Sequence, residues 1–449
     1  MIELTRWRDA FLLVLIALYF LLNYGFMLVR IGPVPVGELA LAASLLMINH
    51  RKTLPRFIRS PLMIPFLAWL AIGGFHVAMG LFEDPFWTIR DASNVIESLF
   101  LYVGFAFAGN KASLERLNRW LPRIFLIIAV YSLTYPFRNA LMPFSPVISN
   151  ASGREIPLLF LFTNSGMLLT VGAAYYLKRH FDEGPGRFLA FGVGAITLAL
   201  LLFPSRTLYL QLGFLLAYFV MTGGWRQFRK LALITALPIV LMAVILGSGI
   251  PIYGRFGDDF TMSDYVALFM EIFGHSNPEA SISSGNELRL LWWGQILLES
   301  TQSWAYTLWG RGFGFPLVDF SIAGGVQVRE PHNDFISVFA RMGVFGLISF
   351  LMMQAYIVGI AMRVTRYYQR VRHWGPITLC FLFLLVDTLL TSLGEPPFSL
   401  SFFAIPYYFI AGVALRLNHV REQAREAARR LPWHPPAPLS APKRQAIAP

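Results

Sequence analysis

The chain has 449 residues, 56% of them hydrophobic, 15% aromatic and only 14% charged, with a formal net charge of +12. Soluble domains run at about 45–50% apolar and about 25% charged, and no soluble fold of this length hides so much apolar surface, so a soluble enzyme is excluded. The single cysteine, Cys380, lies inside an apolar segment, which excludes an intramolecular disulfide and any metal site built from cysteine pairs.

A helix needs close to 20 apolar residues to cross a hydrocarbon core of about 30 Å. Runs of this kind recur at 9–30, 34–49, 61–81, 93–109, 120–142, 157–177, 187–203, 207–222, 228–248, 333–362, 374–394 and 399–416. The pattern predicts an all-α integral membrane protein with about twelve transmembrane helices. The runs at 34–49 and 207–222 are short, which suits a tilted, re-entrant or partly protein-buried segment. The first run follows Arg6 and Arg8 as a signal sequence would. It is too long for a signal core and lacks a small-x-small cleavage site, so it is expected to stay as an anchor.

Placing the N-terminus in the cytoplasm makes the loops alternate in charge. The inward segments and the tail hold 27 of the 37 basic residues and only seven of the 25 acidic ones. This is the positive-inside bias, so the basic balance reports orientation and anionic lipid contact, and nucleic acid is not an expected partner. All ten outward basic residues are arginines, whereas the five lysines all fall inside. Topology needs only positive charge, but the planar arginine fork also suits phosphate.

In chain order the sequence divides into helices 1–9 over residues 1–249, an outward loop over 250–332, helices 10–12 over 333–416, and a cytoplasmic segment over 417–449. The loop is far longer than the other connections. It contains two helix-like runs at 261–274 and 286–300, then the Gly-rich turn LWGRGFGF at 308–315. Trp292, Trp293, Trp304 and Trp309 suit the headgroup level, so the loop is expected to be a folded periplasmic cap. The last segment is expected to begin as a basic surface helix over 416–432 and to end in a Pro/Ala-rich disordered tail.

The candidate chemistry clusters at the outward ends. Asn333, Ser337 and Arg341 recur at i, i+4 and i+8 and share a helix face. Arg341 lies about 12 Å below the helix start, where a charge must face protein, a partner or a cavity. Asp387 is matched in depth on the next helix, so an Arg341–Asp387 structural pair is expected, with substrate contact through Arg341 as the other use. His332 precedes the same helix, whose positive end disfavours imidazolium, which makes it a candidate general base or, alternatively, a capping residue. Arg206 opens the eighth run, and Arg289 lies on a loop helix one turn before Trp292 and Trp293. Each is either an interfacial anchor or a phosphate ligand. No histidine has ligand spacing, so no metal site is expected.

At these residues the chain resembles the O-antigen ligase and O-antigen polymerase superfamily of bacterial membrane glycosyltransferases. The ligase signature is His, then Asn, Ser or Gln, nine residues, Gly, two residues, and Gly, Thr or Tyr. It is met in full by His332, Asn333, Gly343 and Gly346. The pair Ser205–Arg206, the Arg289-x-x-Trp292 spacing and the large loop before the His motif are also similar to the family. The likeness covers the twelve-span layout and mainly residues 150–400.

The resemblance implies transfer of a glycan from undecaprenyl-pyrophosphate to an acceptor hydroxyl of lipid A–core on the periplasmic face of the inner membrane, with no cofactor, nucleotide sugar or metal. It casts His332 as the base, and Arg206, Arg289, Asn333 and Arg341 as substrate-binding residues. An O-antigen polymerase, whose acceptor is a second lipid-linked glycan, is the alternative within the superfamily. A lipid-linked sugar flippase or transporter is the alternative outside it. That reading favours inverted repeats and midplane charges, and the chain has no internal repeat.

Overall fold

The computed structural model describes residues 2–32, 34–149, 155–248, 262–273, 284–318, 320–322, 326–371 and 374–430. It is mostly helical. The first half runs α1 (Ile2–Met27), α2 (Val36–Met47), α3 (His50–Ile58), α4 (Met63–Gly80), α5 (Pro85–Asp91), α6 (Ser93–Glu97), α7 (Phe100–Phe107), α8 (Lys111–Ser132) and α9 (Arg138–Leu141). The second half runs α10 (Ser165–Glu183), α11 (Gly186–Leu202), α12 (Arg206–Gly247), α13 (Met262–Glu271), α14 (Ser284–Ser300), α15 (Trp304–Trp309), α16 (Asp334–Arg370), α17 (Gly375–Thr391) and α18 (Ser401–Arg430). Strands among the described residues form only two-stranded antiparallel hairpins, such as Val147–Ser149 with Glu155–Pro157.

Local chemistry sets many of the helix ends. The side chain of Asp84 accepts from the Trp87 N–H at 3.2 Å with Pro85 in the first turn, and Asn49 and Ser303 cap α3 and α15 in the same manner. Helix α10 stops at Gly184, whose left-handed φ of 84° lets its N–H reach the His180 carbonyl at 2.8 Å, with Pro185 beyond.

Among the described residues, Thr5–Met27, Met63–Gly80 and Asp334–Arg370 are each long and apolar enough to cross a membrane, and Lys111–Ser132 with Tyr135–Phe144, bent by 46°, reaches that measure only when the pair is taken as one span. Val36–Met47, Ser93–Phe107, Gly186–Leu202 and Gly375–Thr391 are shorter apolar helices. Helix α4 shows how such a helix divides its surface. Phe66, Trp69, Gly73 and His76 pack inward at helical spacing, while Ile64, Leu67, Phe75 and Met79 face out. Apolar residues on both faces suit a helix with protein on one side and lipid on the other. Helices α7 and α18 cross with backbones in contact: a Cβ on Gly104 would strike the Phe409 carbonyl, and one on Gly412 the Leu101 carbonyl. Close approach through small residues is how helices associate where apolar burial provides no drive.

Several expected boundaries move. The runs 207–222 and 228–248 lie in one continuous helix, α12, because Gly223, Gly224 and the basic turn that follows interrupt the hydropathy without interrupting backbone hydrogen bonding. Glycine costs a helix about 1 kcal/mol, which neighbouring turns absorb. The run 157–177 becomes helical only at Ser165, after Phe160 and Phe162 adopt positive φ. The run 93–109 is divided between α6 and α7. The last apolar run and the basic helix after it are a single helix, α18, while the Pro/Ala-rich tail beyond Arg430 lies outside the described residues. The loop's two expected helices are present as α13 and α14, and the stretches 249–261 and 274–283 beside them also lie outside the described residues.

Candidate active site

The site is built on the turn into α16. His332 holds a left-handed φ of 55°, and Asn333 follows in extended geometry, its side chain accepting the Ile336 N–H at 3.1 Å. The Asn333 amide also donates to the Leu393 carbonyl at 3.2 Å. The Asp334 carboxylate takes the Phe398 N–H at 3.0 Å, and the Trp293 indole donates to the Pro331 carbonyl at 2.7 Å. A left-handed non-glycine residue persists only where its surroundings over-determine it. These contacts hold the corner and turn His332 away from the helix axis.

Outside the corner, His332 Nδ1 lies 3.1 Å from Glu395 Oε2, and the Trp292 ring stacks against the imidazole with centroids 6.4 Å apart. The other carboxylate oxygen, Oε1, receives Arg289 Nη2 at 3.3 Å. Because a carboxylate can only accept, Nδ1 is the donor on this edge, and in the neutral imidazole Nε2 then carries the lone pair. Arg206 opens α12, where Ser205 Oγ accepts the Leu208 N–H at 3.1 Å, and its Nε lies 3.3 Å from Glu271 on the cap helix α13. Burial depresses the Arg206 guanidinium, Glu271 opposes that, and Arg289 and Glu395 are near enough to act on it as well. Arg206, Arg289, Glu395 and His332 therefore share one space, with side chains between 26% and 33% exposed.

The cap is brought to this rim by contacts from different parts of the chain. The Tyr209 hydroxyl donates to the Tyr265 carbonyl at 3.3 Å, and the Tyr265 hydroxyl donates to the Leu201 carbonyl at 2.8 Å. Residues of α13 thus pack beside the start of α12, whatever course the chain takes between them.

The expected Arg341–Asp387 pair does not form. Arg341 is 3% exposed and its guanidinium lies 2.7 Å from Glu330 and 3.2 Å from Asp91. Ser337 Oγ donates to the other Glu330 oxygen at 2.8 Å, so Ser337 and Arg341 do share a helix face. Asp387 turns instead to α10, where it accepts from Thr170 Oγ1 at 3.0 Å. The two residues match in depth but not in direction around their helices, and a contact needs both. Arg341 and Asn333 are also poor substrate ligands as placed. Arg341 is enclosed by two carboxylates and the Phe315 carbonyl, and both ends of the Asn333 amide are engaged in holding the corner.

Below the corner, α16 breaks at Gly343, where φ is 65°. The break frees the carbonyls of Ala340 and Arg341, which accept the N–H groups of Arg311 and Gly312 at 2.9 Å each. The Gly-rich turn docks there. A Cβ on Gly343 would collide with the Leu308 carbonyl, and one on Gly310 with Arg341. Asp91 ties the same turn down by accepting from the Gly314 N–H at 3.3 Å and pairing with Arg329 at 3.3 Å. The four motif residues therefore have distinct structural parts: His332 points outward, Asn333 caps, Gly343 admits the turn, and Gly346 leaves the space in which a Cβ would strike the Met342 side chain.

Glu395 and Glu271 are the partners that the sequence reading missed. Glu395 sits one turn beyond Thr391 on the Asp387 face, so its spacing was visible, whereas nothing local ties it to His332. Among the described residues, no three His, Cys, Asp or Glu side chains are grouped as a metal would require. No protein-family model matches the chain, and no curated protein matches it.

Proposed function

We propose that this protein is a membrane glycosyltransferase of O-antigen ligase type, moving a glycan from undecaprenyl-pyrophosphate to a hydroxyl of lipid A–core at the periplasmic face. The observation that carries the reading is the imidazole of His332, backed by Glu395 and flanked by two arginines from separate elements. With Nδ1 directed to Glu395, Nε2 accepts the acceptor's proton as its oxygen attacks the anomeric carbon. The bond to the pyrophosphate oxygen breaks, and Arg206 and Arg289 take up the charge that gathers on the leaving group. Among the described residues each guanidinium contacts one carboxylate, which leaves it donors to spare. Trp292 beside the imidazole offers an apolar ring face for a sugar.

The reading includes both termini in the cytoplasm, the cap outside and twelve crossings. Twelve crossings require the two apolar runs of α12 to separate in the bilayer at Gly223–Gly224. In a Cys380→Ala background, cysteine at Gln302 should react with an impermeant thiol reagent in spheroplasts, and cysteine at Gln227 only after lysis. Labelling of Gln227→Cys before lysis would overturn the crossing count.

The function itself is tested with the purified full chain, lipid-linked glycan and lipid A–core, followed on a gel with EDTA present. His332→Ala should still bind donor and lose transfer roughly 100-fold or more, the scale of losing a general base. Normal turnover by that variant would overturn the assignment. Extension of lipid-linked glycan in place of transfer to lipid A–core would make the enzyme a polymerase.

A further inference from the structure

A second concentration of arginine lies far from the His332 corner. Arg363 lies 20 residues beyond the break at Gly343, so at 1.5 Å per residue it is about 30 Å further along α16 than the break below the His332 corner. Here α3, α7, α16 and α18 surround a partly open cavity of about 80 Å³. Arg56, Arg59 and Arg363 line its polar side, and Phe105, Tyr356 and Ile360 line its apolar side.

The charges around this cavity lack counterparts. Arg416 stands over the Phe105 ring at 5.2 Å, and its buried Nε has no acceptor. Arg421 is 7% exposed, and its Nε is likewise without a partner, as is Asn418 Oδ1. The one acid lining the cavity, Glu422, is already engaged by Asn418 Nδ2 at 2.8 Å and Arg421 Nη2 at 3.4 Å. Among the described residues, Arg56, Arg59, Arg363 and Arg416 have no carboxylate within ion-pair distance. Burial and then the charge of Arg416 push the His419 imidazole down; Arg56 and Arg59 add to this, and Glu422 opposes it. The cations therefore act on one another across the cavity.

Buried N–H groups without acceptors and like charges around one space are both unfavourable. Arg56, Arg59 and Arg363 reach water at the cavity, whereas the Nε groups of Arg416 and Arg421 are buried and gain nothing from it. A phosphate relieves both at once, because guanidinium groups bind its oxygens directly. The apolar wall beside the arginines is where the chains of a lipid would continue. Basic pockets between membrane helices accept anionic headgroups in this manner.

We propose that the cavity between α3, α16 and α18 is a binding site for a phosphate anion, which the adjoining apolar wall suits to the headgroup of a membrane phospholipid. It does not depend on the glycosyltransferase reading.

The test compares full-length protein in nanodiscs of phosphatidylcholine, the same discs doped with phosphatidylglycerol, and phosphatidylcholine discs with inorganic phosphate. Thermal unfolding and native mass spectrometry report stabilisation and retained lipid. Phosphatidylglycerol is expected to raise Tm and to stay bound. Arg59→Gln with Arg363→Gln should weaken its binding about 30-fold, two basic side chains near an anionic surface being removed, while Lys111→Ala should behave as wild type. Stabilisation by inorganic phosphate alone, lost in the double variant, would assign the site to a soluble phosphate. If neither anion stabilises, or if the double variant binds as Lys111→Ala does, the proposal is overturned. A benzoylphenylalanine at Tyr356, with every arginine retained, should photocrosslink to phosphatidylglycerol or, for a soluble ligand, lose background lipid crosslinks when phosphate is added. Crosslinking indifferent to both would overturn the proposal even if the double variant failed to fold.

Discussion

Glu395→Gln separates what holds the site together from what makes it react. Glu395 is 30% exposed, and its partners include His332 at 3.1 Å and Arg289 at 3.3 Å. Pairs this open to solvent contribute about 0.2–1 kcal/mol each, so the variant should lose no more than about 2 kcal/mol of stability and remain folded. Glutamine is nearly isosteric but has one accepting and one donating end. If its oxygen accepts from His332 Nδ1, its NH2 group meets the donors of Arg289. If it turns over, it donates to Nδ1 and leaves Nε2 holding the proton, the wrong form for a base. Even in the first orientation it provides no negative charge when the imidazole takes up the acceptor's proton. A partner charge-assisted in the transition state contributes about 1.5–3 kcal/mol, so kcat should fall by about 10- to 100-fold. Steady-state transfer with purified enzyme measures this, and circular dichroism confirms the fold. In a His332→Ala background the same change should cost little further, because the two residues act as one unit. A normal kcat for Glu395→Gln, or full additivity with His332→Ala, would refute the proposed orienting role.

Arg206→Lys and Arg289→Lys should each raise the donor KM about tenfold, since a point charge cannot reproduce the planar fork; unchanged KM in both would remove the arginines from donor binding. Arg341→Met should cost about 3 kcal/mol by leaving Glu330 without its ion-pair partner and Asp91 with Arg329 alone, read as loss of monodisperse protein on fluorescence-detected size exclusion. Glu330→Gln should restore part of that yield and Asp387→Asn none, so rescue by Asp387→Asn would contradict the contacts described above. Gly343→Ala should cost at least the 1–2 kcal/mol of a left-handed residue and undock the 308–315 turn. Faster proteolysis within 304–318 would report the undocking, and wild-type resistance would show that the turn does not depend on the break.

The helical, apolar character of the chain was legible from composition, and the cap helices and the face shared by Ser337 and Arg341 from spacing. Other features were not, for separable reasons. Hydropathy measures partitioning, so it divided α12 where the charges of Arg226, Arg229 and Lys230 interrupt the apolar run, although the backbone continues. Depth along a helix gives one coordinate of a side chain and leaves its direction open, which is how Asp387 was matched to Arg341 while facing Thr170. The histidine of the motif could be singled out from the residues around it. Its carboxylate partner lies 63 residues further on, beyond α17, where no local pattern joins the two. The outward excess of acid does not follow from the positive-inside bias, which depends little on Asp and Glu. Those acids have another part. Glu271 faces Arg206, Glu395 faces Arg289, Glu299 faces Arg311, and Asp91 and Glu330 face Arg329 and Arg341. A partly desolvated guanidinium needs a counter-charge, so the surplus of acid follows these arginines rather than the topology.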